Sequence, residues 1–271
     1  MKEKDKAGGG RRARRGRPFA VVFEEPLERQ PRRRFGLAAW LSIGPILSVL
    51  GIMGFVRLLI GVEDSANIEA GLKYLINDLS LLVLFIASHT FFARGIGRKL
   101  LNKPFGPEAE RPLYVFITGC TLFLMVSCWQ SCGPLLYTAS AGVLATVLAV
   151  TQLIGFGLVV WGAVVVGAAG LAALPHLRAL ESGRSTPKQQ FVALPPYSFI
   201  RQPINLGFLL MLWAMPEVSL DRLLLCVVLT IWIVLVAPIE ERDAELSFGD
   251  GYTRYKEKTP RWLPKISAND S

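Results

Sequence analysis

The chain has too little polar surface for a soluble domain of its length. Apolar residues fill 52% of its 271 positions, and mean hydropathy is +0.41, above ordinary globular usage. Its apolar runs lack a period-two alternation with polar residues, which excludes a transmembrane β-barrel. The first such run has no small-residue cleavage site after it and starts far from the first Met, so it is expected to remain as a span. Cysteines are few: Cys120, Cys128, Cys132 and Cys226, all in or beside apolar runs. Cys128 and Cys132 are i,i+4 neighbours, but without a second pair or a nearby histidine they form no metal site. All four are expected to pack between helices and not to build a disulfide framework. No inverted repeat or pair of broken helices marks a transporter.

What is present is a series of stretches long enough to cross a bilayer, each needing roughly 20 mostly apolar residues. They fall at about 37–59, 72–93, 113–131, 139–174 and 220–238, with a shorter run from Ile204 to Met215. Pro175 marks the expected end of the fourth. The predicted fold class is all-α: a polytopic membrane helical bundle of about six spans, including a C-terminal helical hairpin. It divides into a disordered basic cytoplasmic arm at 1–35, N-terminal transmembrane helices at 36–134, and C-terminal transmembrane helices with the cytoplasmic tail at 135–271.

Charge gives the expected topology. Residues 1–35 hold twelve Lys or Arg, whereas 62–71 holds Glu63, Asp64 and Glu69 and no base. The next connection carries Arg94, Arg98, Lys99, Lys103 and Arg111, and 132–139 is uncharged. Then come Arg178, Arg184, Lys188 and Arg201, and six further bases follow Ile239. Basic and non-basic connections alternate, so both termini and the loops 94–111 and 176–202 are expected in the cytoplasm, with 62–71 and 132–139 on the other side. The membrane would be the plasma membrane of a bacterium or the nuclear or endoplasmic-reticulum membrane of a eukaryote. The Gly- and Arg-rich arm suits anionic lipid head groups. Arg11 to Arg17 would also suit nuclear targeting, and a nucleic-acid partner is not expected.

Ionisable groups inside a bilayer are costly and mark candidate sites. Asp78 and His89 are eleven residues apart, which leaves them about 20° apart on the helix circumference and so on one face. The same spacing also suits a histidine that only hydrogen-bonds a neighbouring helix. A hairpin of 204–216 with 220–238 would return Arg201 and Gln202 to Glu240, Glu241 and Arg242. Such a cluster could be a ligand pocket or an interfacial collar of ion pairs.

Five segments then carry a resemblance. Tyr197-x-x-x-Arg201-Gln202-Pro203-x-x-x-Gly207, Glu240-Glu241-Arg242-Asp243 and Phe248-Gly-x-x-Tyr252-x-x-Tyr255 resemble the C-terminal signature of the isoprenylcysteine carboxyl methyltransferase superfamily. Asp78-Leu-x-Leu-Leu-x-Leu-Phe-x-x-x-His89-Thr-x-x-Ala93-Arg94, with Glu110-Arg111-x-x-Tyr114-Val115, is similar to the branch holding nurim and methanethiol S-methyltransferase. The resemblance spans roughly 72–264. It implies methyl transfer from S-adenosyl-L-methionine at a membrane-embedded site, with a small thiol such as methanethiol as acceptor and dimethyl sulfide as product. By position, Tyr197, Arg201, Gln202, Pro203, Glu240, Glu241 and Arg242 would form the cofactor pocket. His89 would take the thiol proton or orient its neighbours. One position departs: the family motif has His where this chain has Gln202, which hydrogen-bonds but does not change charge near neutral pH. A non-catalytic, nurim-like structural protein of the nuclear or endoplasmic-reticulum membrane, and a methyltransferase for a prenylcysteine or lipid-like acceptor, are the alternatives.

Overall fold

The computed structural model describes residues 34–61, 71–139, 141–183, 191 and 193–264. The expected features of the arm before Arg34, the acidic segment around Glu63 and Asp64, and Arg184 and Lys188 lie outside the described residues. In chain order the elements are α1 (Phe35–Leu41), α2 (Ile43–Ile60), α3 (Gly71–Phe92), α4 (Gly95–Phe105), α5 (Pro107–Ser127), β1 (Leu135–Thr138) and α6 (Gly142–Val166). There follow α7 (Ala168–Leu171), α8 (Leu174–Ser182), α9 (Pro203–Trp213), β2 (Glu217–Ser219), α10 (Leu220–Phe248) and α11 (Asp250–Lys258).

This is an all-α membrane bundle. Five helical stretches are long and apolar enough to cross a membrane: Phe35–Ile60, Gly71–Phe92, Pro107–Ser127, Gly142–Val166 and Leu220–Phe248. The first is α1 and α2 together, broken at Ser42. Pro45, three residues on, has no N–H to return to the Leu41 carbonyl, so the helix interrupts there. The sixth apolar helix, α9, has eleven residues and is therefore about 16 Å long, half of the hydrocarbon thickness. Beyond Trp213 the chain continues without helix to β2, which pairs antiparallel with β1. That ribbon satisfies its own backbone groups where α9 has stopped. The ribbon defines one end of the bundle, and the end carrying Arg94, Arg98 and Arg201 is the other.

Two expectations about connections are corrected. The stretch 94–111 is not a loop: α4 fills most of it and α5 already begins at Pro107, with Glu108 and Glu110 in its first turn. Acidic residues there complement the helix N-terminus. The run 139–174 is not one helix ended by Pro175. It stops at Val166, because Gly167 adopts φ +98, open to glycine and costly for other residues. Pro175 instead sits in the first turn of α8, where its missing N–H is no loss.

Packing follows small residues, as expected where no hydrophobic force drives helices together in lipid. A Cβ on Gly155 of α6 would lie 2.7 Å from the Gly207 carbonyl oxygen, and one on Gly207 would lie 2.6 Å from the Gly155 oxygen. Gly44 and Gly119 form the same kind of seam between α2 and α5. The main core, with Leu58, Leu59, Leu82, Met125, Leu212, Met215 and Leu225, joins α2, α3, α5, α9 and α10. A second cluster of Ala38, Leu41, Leu101, Ala109, Leu113, Leu177 and Leu180 closes the basic end.

Candidate active site

Antiparallel pairing of α9 with α10 assembles the site. Cys226 Sγ lies 3.1 Å from the Leu212 carbonyl oxygen, and Trp213 Nε1 donates to Thr230 Oγ1 at 2.9 Å. The hairpin register then carries residues 201–205 back to 240–241. Arg201 Nε donates to Glu241 Oε1 at 2.9 Å and its Nη2 to Oε2 at 3.1 Å. Arg261 binds the same two oxygens from the other side, at 3.0 and 2.9 Å. Glu241 is thus clamped by two guanidinium forks with its side chain 0% exposed, and four donors occupy its acceptor positions. Arg201 Nη1 also donates to the carbonyls of Lys256 and Thr259. The backbone N–H groups of Arg201 and Gln202 donate to Pro260 and Arg261 carbonyls at 2.9 and 3.1 Å. The segment after α11 is therefore stitched to the start of α9.

Glu240 has a different environment. Its side chain is 41% exposed, and its carboxylate accepts from Asn205 Nδ2 at 3.3 Å and lies 3.8 Å from Arg94 Nη2. Arg94 Nε meanwhile donates to Asp243 Oδ2 at 2.7 Å. Asn205 also donates to Gln202 Oε1 at 2.7 Å, which leaves the Gln202 amide N–H pair as a donor without a partner among the described residues. Pro203 is buried at the first position of α9. Tyr197 lies behind this corner, its carbonyl accepting from Tyr255 Oη at 2.6 Å. Burial first, and the nearby Glu240 carboxylate second, push the Tyr197 phenol above its ordinary range, so it stays protonated. Tyr252 is pushed up to about 12 by burial and by Glu241. Arg242 is not brought into the cluster: it is exposed, on another side of α10.

His89 lies two turns deeper, among three rings. Their centroids are 5.4 Å (Trp232, perpendicular), 5.5 Å (Tyr114) and 5.6 Å (Phe85) from its own. Tyr114 Oη is 3.2 Å from either ring nitrogen, and Trp232 is held in turn by Thr90 Oγ1 at 3.0 Å. Trp232, Glu240 and Asp243 are eight and three residues apart on α10, so they form one stripe facing α3. His89 thus sits below the Arg94–Glu240 rim.

Asp78 shares a helix with His89 but belongs to another cluster. Its Oδ1 accepts the Gln130 N–H at 3.1 Å, fixing the chain after α5. Asp221 does the same nearby, accepting from Trp129 Nε1, Ser219 Oγ and the Cys132 N–H. The four cysteines are free thiols.

Sequence reasoning quoted Tyr114 only as part of a motif, and gave Arg261, Asn205 and Trp232 no role in the site. Asn205 is one helical turn from Gln202, a legible spacing. Nothing local in the sequence joins Arg261 to Glu241 across twenty positions.

The chain is 27% identical to methanethiol S-methyltransferase 1 of Bradyrhizobium diazoefficiens over 85% of its own length and 81% of that protein's. It is 25% identical to methanethiol S-methyltransferase of Mycobacterium tuberculosis over 79% of this chain and 88% of the relative. Nurim of Sus scrofa is 30% identical over 61% of this chain and 66% of its own. No family model matches the chain, and no solved structure does. With these likenesses added to the residue pattern of α3 and of the α9–α10 hairpin, the chain is similar over most of its length to the nurim and methanethiol S-methyltransferase family.

Proposed function

We propose that this multi-pass membrane protein transfers a methyl group from S-adenosyl-L-methionine to a small thiol such as methanethiol. The observation that carries the reading is His89, packed under Trp232 with Tyr114 at its ring nitrogens, directly below a rim of Arg94, Glu240, Asn205 and Gln202. The donor set fits the cofactor. Glu240 is exposed enough to accept from hydroxyl or ammonium groups, and the Gln202 amide N–H pair can donate to a carboxylate or ring nitrogen. Arg201 and Glu241 are engaged with one another, so they shape this corner and Glu240 is the carboxylate left for the ligand. When bound, the cofactor supplies a methyl group on a positively charged sulfur, already reactive toward thiolates.

The protein's part is to orient the acceptor and to move its proton. Tyr114 Oη orients the His89 ring, and whichever ring nitrogen carries no proton takes the one from the thiol. The thiolate so formed is the nucleophile. The relatives named methanethiol S-methyltransferase support a small thiol as the acceptor. The alternating charge pattern supports a cytoplasmic placement of both termini.

The experiment is an assay of the purified protein with S-adenosyl-L-methionine and methanethiol, dimethyl sulfide being read by gas chromatography, beside calorimetric titration with S-adenosylhomocysteine. Product from the wild type, lost in His89→Ala with titration unchanged, supports the reading. Absence of binding and of product in the wild type rejects it. One observation favours a second reading, a non-catalytic nurim-like structural protein: Gln202 replaces the motif's His and its carboxamide oxygen is already taken by Asn205. The same titration decides between them.

A further inference from the structure

Helix α4 was expected to be loop, and the site just described makes no use of it. It folds sharply back on α3: a Cβ on Gly97 would lie 2.1 Å from the Phe91 carbonyl oxygen, so the first turn of α4 rests on the α3 backbone. Leu101 is buried in the cluster at the basic end, and the Arg34 guanidinium holds the Phe105 carbonyl. Position and orientation are therefore fixed by packing.

The outward stripe is unusual. Ile96 is 71% exposed and Leu100 47%, and Lys99 and Lys103 are exposed on the same face at i,i+3 and i,i+4 spacing. Arg98 is committed to Glu110. Neither lysine has an ion-pair partner among the described residues. Apolar side chains in water beside unpaired lysines suit neither a solvated helix nor a helix buried in a bundle. The stripe starts five residues after Phe91, whose exposed ring, with Val83 and Leu84, belongs to the outward apolar surface of spanning helix α3.

We propose that α4 is an interfacial helix that binds anionic phospholipids: Ile96 and Leu100 enter the acyl boundary while Lys99 and Lys103 reach back to head-group phosphates. Long lysine stems allow that division, and a short amphipathic helix with bases on its polar side is the form that lies in a bilayer interface. Continuity with the lipid-facing surface of α3 argues for lipid as the occupant in preference to a soluble protein.

The test uses the full chain in nanodiscs containing a photoactivatable phosphatidylglycerol or, in parallel, a photoactivatable phosphatidylcholine, with crosslinked peptides mapped by mass spectrometry. Phosphatidylglycerol should label 95–105 more strongly than phosphatidylcholine, by about fivefold for each lysine engaged. Lys99→Gln/Lys103→Gln should bring the two to parity while other labelled peptides are unchanged, including any from the basic arm. Both positions are exposed, and an unshifted melting temperature will confirm that the variant folds. Equal labelling by the two lipids in the wild type, a preference that survives the double substitution, or no labelling of α4 by either lipid would each overturn the proposal.

Discussion

Arg201 and Glu241 meet fork to fork, Nε to Oε1 at 2.9 Å and Nη2 to Oε2 at 3.1 Å, across forty positions of sequence. The pair is almost wholly out of solvent, with side chains 9% and 0% exposed, and Arg261 shares the carboxylate. Breaking one side of such a buried pair costs about 3–5 kcal/mol, because a charge stays behind without its partner. Glu241→Ala should therefore lower the melting temperature of the detergent-solubilised protein sharply, whereas Glu240→Ala should leave it near the wild type. Equal melting of the two variants would remove the clamp as a stabilising element.

Arg261 is the outer member of the clamp, its side chain 33% exposed. Solvent screening reduces its share, and Arg261→Ala should cost less than Arg201→Ala, about 1 kcal/mol as against several. Reversal of that order in denaturation curves would show that Arg261 is the principal anchor.

For the proposed reaction, His89→Ala should reduce turnover by about 10²–10⁴-fold, the span of general acid–base catalysis, with S-adenosylhomocysteine affinity kept. Tyr114→Phe removes one neutral hydrogen bond and should cost only about fivefold. If His89→Ala turned over like the wild type, proton transfer would have to be assigned elsewhere.

Gln202→His restores the motif's residue. An imidazole nitrogen can still accept from Asn205 Nδ2, so S-adenosylhomocysteine affinity should move by no more than about fivefold, the worth of one neutral hydrogen bond. A much larger gain in turnover would mean that position 202 handles protons in this family, and that Gln202 has given that up here.

The seam between α6 and α9 is a steric prediction. Gly207→Val would press side-chain atoms into the Gly155 carbonyl, already 2.6 Å from a bare Cβ, at a cost of about 1–3 kcal/mol. Loss of melting temperature should follow; an unchanged value would mean that the seam can open freely.

Much of the fold was legible because burial in lipid imposes a length. The runs at 72–93 and 220–238 match α3 and the apolar part of α10, and the hairpin turn at Pro216 placed Arg201 against Glu241. The break at Gly167 was not legible, since hydropathy is the same on both sides and only the backbone angle differs. Helix α4 was hidden because the bases of 94–111 were read only as the charge of a cytoplasmic connection, although Leu101 had a place in the core. Within the site, Glu240 and Glu241 looked equivalent as neighbours in sequence. A helix turns about 100° per residue, and that rotation gives one of them two arginines and the other an open face.

The β1–β2 ribbon, with Asp221 tied to Trp129 and Cys132 beneath it, puts a floor under the half-length helix α9. A way in from water then lies at the opposite end, where the Glu240 side chain is part-exposed. For the proposed chemistry, the polar methyl donor and its spent form would share that doorway, while an oily thiol and its thioether could pass sideways through the hydrocarbon. Such a protein would work as a phase-transfer catalyst, drawing one reagent from each solvent, and its traffic at the mouth would set how strongly the spent donor inhibits it.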